Sequence, residues 1–290
     1  MNRLKALSLM IAALLLALSS TAAAAKAKPT PTPPLPEVPE EIVQEVPDTI
    51  QAVLDLAYNE LVETDGKELK TLNKYTEWRG KGVKFGWCGG FVTWCMLEAG
   101  IPQEDKNTTL KIKEPVSGIV HVKEAGVGKL YSGYEHLNRV TEQPSRKKDR
   151  HVQIPQKGFI VVYGNADSSG KYAGITPYYH VGLVYDVEKL DNGCYRLTTI
   201  EGNVGVNFTD AAGEKHKATH TIRMYTRDYN PHAEKLKEDL TLVPEAERSQ
   251  EESAIFSYDY TYGNKKMYIS TFLMPWVPGD PALSGDGNAV

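Results

Sequence analysis

The sequence predicts an α+β fold: a cysteine-bearing helix packed on an antiparallel β-sheet, with a C-terminal β-hairpin extension. Three observations support this. Between Asp48 and Val62, Ile50, Val53, Leu54, Ala57, Leu61 and Val62 recur at helical spacing, with Asp48 placed as N-cap. The run Trp87 to Ala99 reads as a second helix, closed by Gly100 and then Pro102, the usual order of helix-stopping residues. The later half holds short β-rich runs, "FIVVYG", "HVGLVYDV", "CYRLTTIEGNV" and "HTIRMYT", separated by turn residues. Two helices followed by a set of strands give an α+β order.

The elements sit in a longer frame. The chain has 290 residues, 41% of them apolar, with a formal charge of −4, enough apolar material for one substantial core or two small domains. Arg3 and Lys5 precede an apolar run from Leu7 to Leu18 and the stretch "SSTAAAAKAK", which together read as a secretory signal cut after Ala23 to Ala25. No cysteine lies near that cut, so a lipid anchor is not expected. The apolar run also falls short of the roughly 20 residues a membrane span needs. Cleavage would leave a mildly acidic mature chain, about −6, without basic blocks. Nucleic acid is therefore not an expected partner, nor is stable membrane insertion.

After the signal (1–25), "KPTPTPPLPEVPEE" favours an extended, solvated arm over 26–46. A main domain is expected over 47–230. Within it, 103–156 is polar and reads as a long insertion with little regular structure. The segment 231–278 should hold a charged helix and a hairpin around Gly263-Asn264, and 279–290 a flexible tail.

Three cysteines in an exported chain leave at least one thiol free or paired outside the molecule. Cys88 falls in the first turn of its helix, where the macrodipole and unpaired backbone N–H groups favour a thiolate. Gly89 and Gly90 each cost about 1 kcal/mol in a helix interior. In the first turn they are read as opening the sulfur to a substrate carbonyl. Cys95 lies two turns on, about 10 Å along the axis, too far for a disulfide with Cys88. It reads as a packing residue, with a Cys95–Cys194 bridge as the alternative.

A thiolate nucleophile needs a base, and the base an orienting group. His121, His136, His151, His216, His220 and His232 lie in polar stretches, and most are expected to be solvated. His180 opens the strand "HVGLVYDV". "DNG" at Asp191 to Gly193 suggests a two-residue turn in which Asp191 pairs with Cys194. That register sets Gly182 opposite Asn203 and Val184 opposite Glu201, with residues 180, 182, 184, 201 and 203 on one face. Glu201 or Asn203 could then lean across Gly182 to reach His180.

The blocks "NKYTEWRG", "WCGGFVTWCMLEAGI", "HVGLV" and "IEGN", in that order over about Ile50 to Tyr225, resemble the CHAP domain. This is the cysteine- and histidine-dependent amidohydrolase/peptidase module of the NlpC/P60-like, papain-related group. The resemblance implies a papain-like fold and a secreted or wall-associated enzyme; no cofactor is expected, and no metal site is assigned in this sequence. Its partner would be bacterial peptidoglycan, cut as an N-acetylmuramoyl-L-alanine amidase or a stem-peptide endopeptidase. By motif position Cys88 is the nucleophile, His180 the base, and Glu201 and Asn203 the polar partners of the histidine. Tyr75, Trp78 and Trp87 are candidate groove walls, and Gly89 a point of substrate contact. The sequence departs from the family pattern in three ways. Both residues after the cysteine are glycine, "GF" stands at Gly158-Phe159 where "GD" is usual, and no acidic calcium cluster precedes Cys88. A binding module on the same scaffold that has lost turnover, and a papain-like protease or transglutaminase acting on protein, remain rival readings.

Overall fold

The computed structural model describes residues 40–104, 120–141, 154–165, 176–209, 214–233, 239–244, 247, 260–261, 267–280 and 282–283. Every described residue belongs to one compact unit within Pro31–Val290. The expected signal segment, most of the arm, His151 and the Gly263-Asn264 turn lie outside the described residues.

Helix α1, Asp48–Thr64, buries Ile50, Val53, Leu54, Ala57 and Leu61 on one face, as the periodicity implies. Pro47 rather than Asp48 is its N-cap, which places Asp48 in the first turn, where its charge complements the macrodipole. A short helix α2, Lys74–Glu77, is closed at its start by Asn73, whose side chain accepts from the Tyr75 N–H. Helix α3, Cys88–Glu98, starts from Trp87. It ends as the glycine predicts: Gly100 adopts φ +72°, and the N–H groups of Ile101 and Gly100 return to the carbonyls of Met96 and Leu97.

Next come the paired two-residue strands β1, Gln103–Glu104, and β2, His121–Val122, and helix α4, Val127–His136. Strands β3 (Ile160–Asn165), β4 (Thr176–Lys189), β5 (Tyr195–Thr209), β6 (Lys215–Tyr229), β7 (Leu240–Leu242), β8 (Tyr260–Thr261) and β9 (Met267–Leu273) complete the order. They form one antiparallel sheet of order β7-β6-β5-β4-β3-β9, with β8 pairing β5. Mixed helix and antiparallel sheet make this an α+β protein. The core lies between α1, α3 and α4 and the sheet, where Trp87, Phe91, Cys95, Met96, Leu130, Val181, Leu183 and Ile200 are buried. Among the described residues no helix is long and apolar enough to cross a membrane.

The β4–β5 register differs from expectation in an instructive way. Leu190 and Cys194 close a three-residue loop in which Gly193 takes φ +81°, so Lys189 pairs with Tyr195. A bulge between Val184 and Asp186 then shifts the ladder once more, leaving Val184 opposite Thr199 and Leu183 opposite Ile200. Two slips of one residue restore parity. The partners are displaced by two positions, but the face shared by 180, 182, 184 and 201 is the one expected.

Four expectations are corrected. The described part of the insertion is not irregular: Val120, Val122, Leu130, Tyr131 and Tyr134 are buried, because α4 lays an apolar face on the core. The end of the arm is docked, since the buried Gln156 accepts from the Val43 N–H at 2.8 Å and donates to the Glu41 carbonyl at 2.8 Å. The two sides of the expected C-terminal hairpin separate, β8 going to β5 and β9 to β3, so β9 completes the main sheet. The start of the tail is anchored where Asp280 meets the buried Arg139 at 2.7 Å. Of the charged segment after Pro231, where a helix is expected, residues 234–238 lie outside the described residues, and Leu240–Leu242 form strand β7.

Candidate functional site

Cys88 is the first residue of α3 and 7% exposed, so its thiol sits at an uncapped helix N-terminus. Burial alone would raise its pKa. A hydrogen bond from His180, the imidazolium charge, and backbone N–H groups of Gly89 and Val181 outweigh burial and bring the thiol below its ordinary value.

His180 lies on β4 where α3 packs against it. Its Nε2 is 3.0 Å from Glu201 Oε2, which leaves Nδ1 for the Cys88 thiol. Burial would lower the imidazole pKa, but hydrogen bonds to Cys88 and Glu201 and their charges push it up to about 10. The Tyr163 ring stacks on the imidazole with centroids 6.0 Å apart and planes within 18°, fixing its tilt.

Glu201 reaches the histidine because of Gly182. A Cβ at that position would lie 2.6 Å from Glu201 Cγ, so only a glycine lets the carboxylate lie across β4. The carboxylate is 1% exposed and fully engaged. Its Oε1 accepts from Thr199 at 2.7 Å, from Tyr163 at 3.0 Å and from Arg227 at 2.6 Å. Burial opposes its ionisation, but the Arg227 and His180 charges prevail and hold it well below the usual carboxylate range. Thiolate, imidazolium, carboxylate and guanidinium thus alternate in sign, which is how a buried row of charges becomes tolerable.

The expected site residues part company here. Cys88, His180 and Glu201 come together. Asn203 does not join them: it sits at a β5 bulge with φ +61°, and its Oδ1 is 2.6 Å from His220 Nδ1. Tyr75 and Trp87 cannot wall a groove, being 1% and 0% exposed and stacked on each other at 5.0 Å. Tyr75 also hydrogen-bonds Glu60 in the core. Trp78 is half-buried, donates to the Gly90 carbonyl at 3.3 Å and meets Phe85 edge-on. Gly89 is a packing glycine rather than an access point, because a Cβ there would overlap the Ala125 carbonyl and lie 2.8 Å from Leu130 Cδ1. Gly90 is similarly confined, since a Cβ there would lie 2.7 Å from the Tyr75 carbonyl oxygen.

Cys95 is fully buried and, like Cys88 and Cys194, a free thiol. His121, expected in solvent, is wholly buried: Thr93 donates to the Glu124 carbonyl, so His121 Nε2 donates to Thr93 Oγ1 at 3.1 Å and Nδ1 accepts from Tyr134 at 2.7 Å. Burial drops its pKa to about 3 and keeps it neutral. Tyr163, Thr199 and Arg227 escaped the sequence reading. Arg223, Tyr225 and Arg227 alternate on β6 as Glu201 and Thr199 do on β5, and that inward period-two run of arginines was the available signal.

Among the described residues no group of three or more His, Cys, Asp or Glu side chains could hold a metal ion. The chain matches no family model, no curated protein and no solved structure.

Proposed function

We propose that this protein is an exported thiol amidohydrolase of papain-like type whose substrate is bacterial peptidoglycan. The observation that carries the chemistry is the Cys88–His180–Glu201 row at the start of α3, a thiol below its ordinary pKa against an imidazole raised to about 10. The order of the CHAP-like blocks supports peptidoglycan as the target, and the apolar N-terminal run supports export to reach it.

In this reading the Cys88 sulfur attacks an amide carbonyl carbon, and the backbone N–H of Cys88 helps hold the oxyanion. The C–N bond breaks as His180 Nδ1 gives its proton to the leaving amine. A water then loses a proton to His180 and attacks the thioester. The C–S bond breaks and the thiolate–imidazolium pair is restored. Glu201 stays ionised throughout and keeps the ring oriented, with Arg227, Tyr163 and Thr199 fixing the carboxylate. Release of dye from labelled sacculi by the parent and by Cys88→Ala tests the reading. Release that requires Cys88 supports it. Equal release by the variant removes Cys88 from the chemistry, and no release by the parent favours a module that only binds.

A further inference from the structure

Beside this row lies a histidine that the chemistry above does not use. Strands β5 and β6 lose register between Glu201 and Val206, where Glu201 faces Arg223, Val204 faces Thr221 and Val206 faces Ala218. At the two bulges Asn203 takes φ +61° and His220 φ +59°. Asparagine tolerates that region, whereas histidine without compensation pays roughly 1 kcal/mol there relative to glycine. The side chain of His220 offers the compensation, since its Nδ1 lies 2.6 Å from Asn203 Oδ1. An amide oxygen only accepts, so Nδ1 carries the hydrogen.

The direction of that bond decides where the rest of the amide points. With Oδ1 engaged by His220, Asn203 Nδ2 faces Gly86, where a Cβ would stand 3.4 Å from it. Gly86 is exposed and lies two residues before Cys88 in the chain. The backbone of His220 is itself tied down, its carbonyl accepting from the Leu69 N–H at 3.2 Å while Thr219 donates to Glu68.

From this geometry we propose that His220 is a positioning residue for the reaction at Cys88, locking the Asn203 amide with Nδ2 toward Gly86 and the backbone that delivers the nucleophile. The proposal rests on the reading of Cys88 as nucleophile. Neither residue touches His180 through a hydrogen bond described here, so the effect falls on acyl transfer rather than on thiolate formation.

Two substitutions separate side chain from backbone. His220→Gly keeps the left-handed conformation and removes the donor, whereas His220→Asn keeps both that conformation and an amide donor. Loss of one such hydrogen bond should lower kcat about tenfold in His220→Gly with KM unchanged, and His220→Asn should recover to within about threefold of the parent. The rate of Cys88 alkylation by iodoacetamide should stay at the parent value in both. Unchanged kcat in His220→Gly, a loss expressed in KM, or an equal loss in His220→Asn overturns the proposal. The mobility of the Asn203 side-chain amide, read by ¹⁵N relaxation in NMR, gives a measure independent of turnover. The amide should be rigid in the parent, mobile in His220→Gly and rigid again in His220→Asn, and the same mobility in all three overturns the lock. A parent that hydrolyses no wall but shows this mobility pattern would defeat the functional reading alone.

Discussion

His180 holds Glu201 through Nε2 at 3.0 Å, across the space that Gly182 leaves open. The carboxylate therefore helps orient the ring and, together with Cys88, sustains the charge it carries. Glu201→Gln preserves the shape but removes the charge. By analogy with the loss of an orienting carboxylate in a serine triad, wall hydrolysis should fall about 10²–10⁴-fold. Iodoacetamide alkylation of Cys88 near neutral pH should slow as well, because the imidazolium that supports the thiolate is weakened.

The pH dependence follows from the same pair. The Cys88 thiol lies below its ordinary value of 9, and His180 keeps its proton up to about 10. Hydrolysis needs the thiolate to attack and the imidazolium to protonate the leaving amine. Turnover should therefore begin below pH 9, hold across a plateau and fall as pH rises through about 10. Initial rates against pH measure both limbs.

Glu201 also links folding to acid. Its folded pKa lies below the ordinary 4.5, so its contribution to stability is present above 4.5 and is lost as pH falls through the folded value. The parent should lose stability as the pH drops below 4.5, and Glu201→Gln should show a shallower slope there. Urea midpoints across that range give the comparison.

Arg227 and Tyr163 both donate to Glu201 Oε1 but should differ in weight. Arg227→Met leaves a buried carboxylate without its cation and should cost about 3–5 kcal/mol of stability. Tyr163→Phe removes a single neutral donor and should cost about 1 kcal/mol. Urea denaturation ranks the two.

Gly89 and the cysteines give checks on packing. Gly89→Ala pushes a methyl into the Ala125 carbonyl and should destabilise the protein by about 1–3 kcal/mol, with alkylation of Cys88 altered as the helix start shifts. A thiol count on unfolded, unreduced protein should return three free groups, and a count of one would show a bridge.

The two ends of α3 and the strand cores were legible in the sequence because local chemistry sets them: Gly100 closes the helix, and β-rich runs separated by turns mark β3 to β6. The meeting of His180 with Glu201 was legible for a subtler reason. The longer loop at Asp191 to Gly193 and the bulge near Tyr185 each moved the ladder by one, and side-chain alternation forgives an even total. Asn203 was misassigned because a third irregularity, at the β5–β6 bulges, turns it into the left-handed region and toward His220. The tolerance of asparagine for that region permits the turn but does not place it there. Tyr75, Trp87 and Gly89 are only candidates for the groove in the sequence, because aromatic and glycine residues beside a reactive cysteine suit a groove and a packed helix equally well. Only the positions of Ala125, Leu130 and Glu60, distant in sequence, decide between them. His121 was lost to the same cause, since its partners Thr93 and Tyr134 come from separate helices.

The most direct test of the thiol amidohydrolase reading is mass spectrometry of muropeptides from sacculi treated with the parent protein and with Cys88→Ala. The expected result is a set of fragments, each showing one amide opened by one water, present with the parent and absent with the variant. An unchanged muropeptide profile with the parent, or the same fragments from Cys88→Ala, would contradict it.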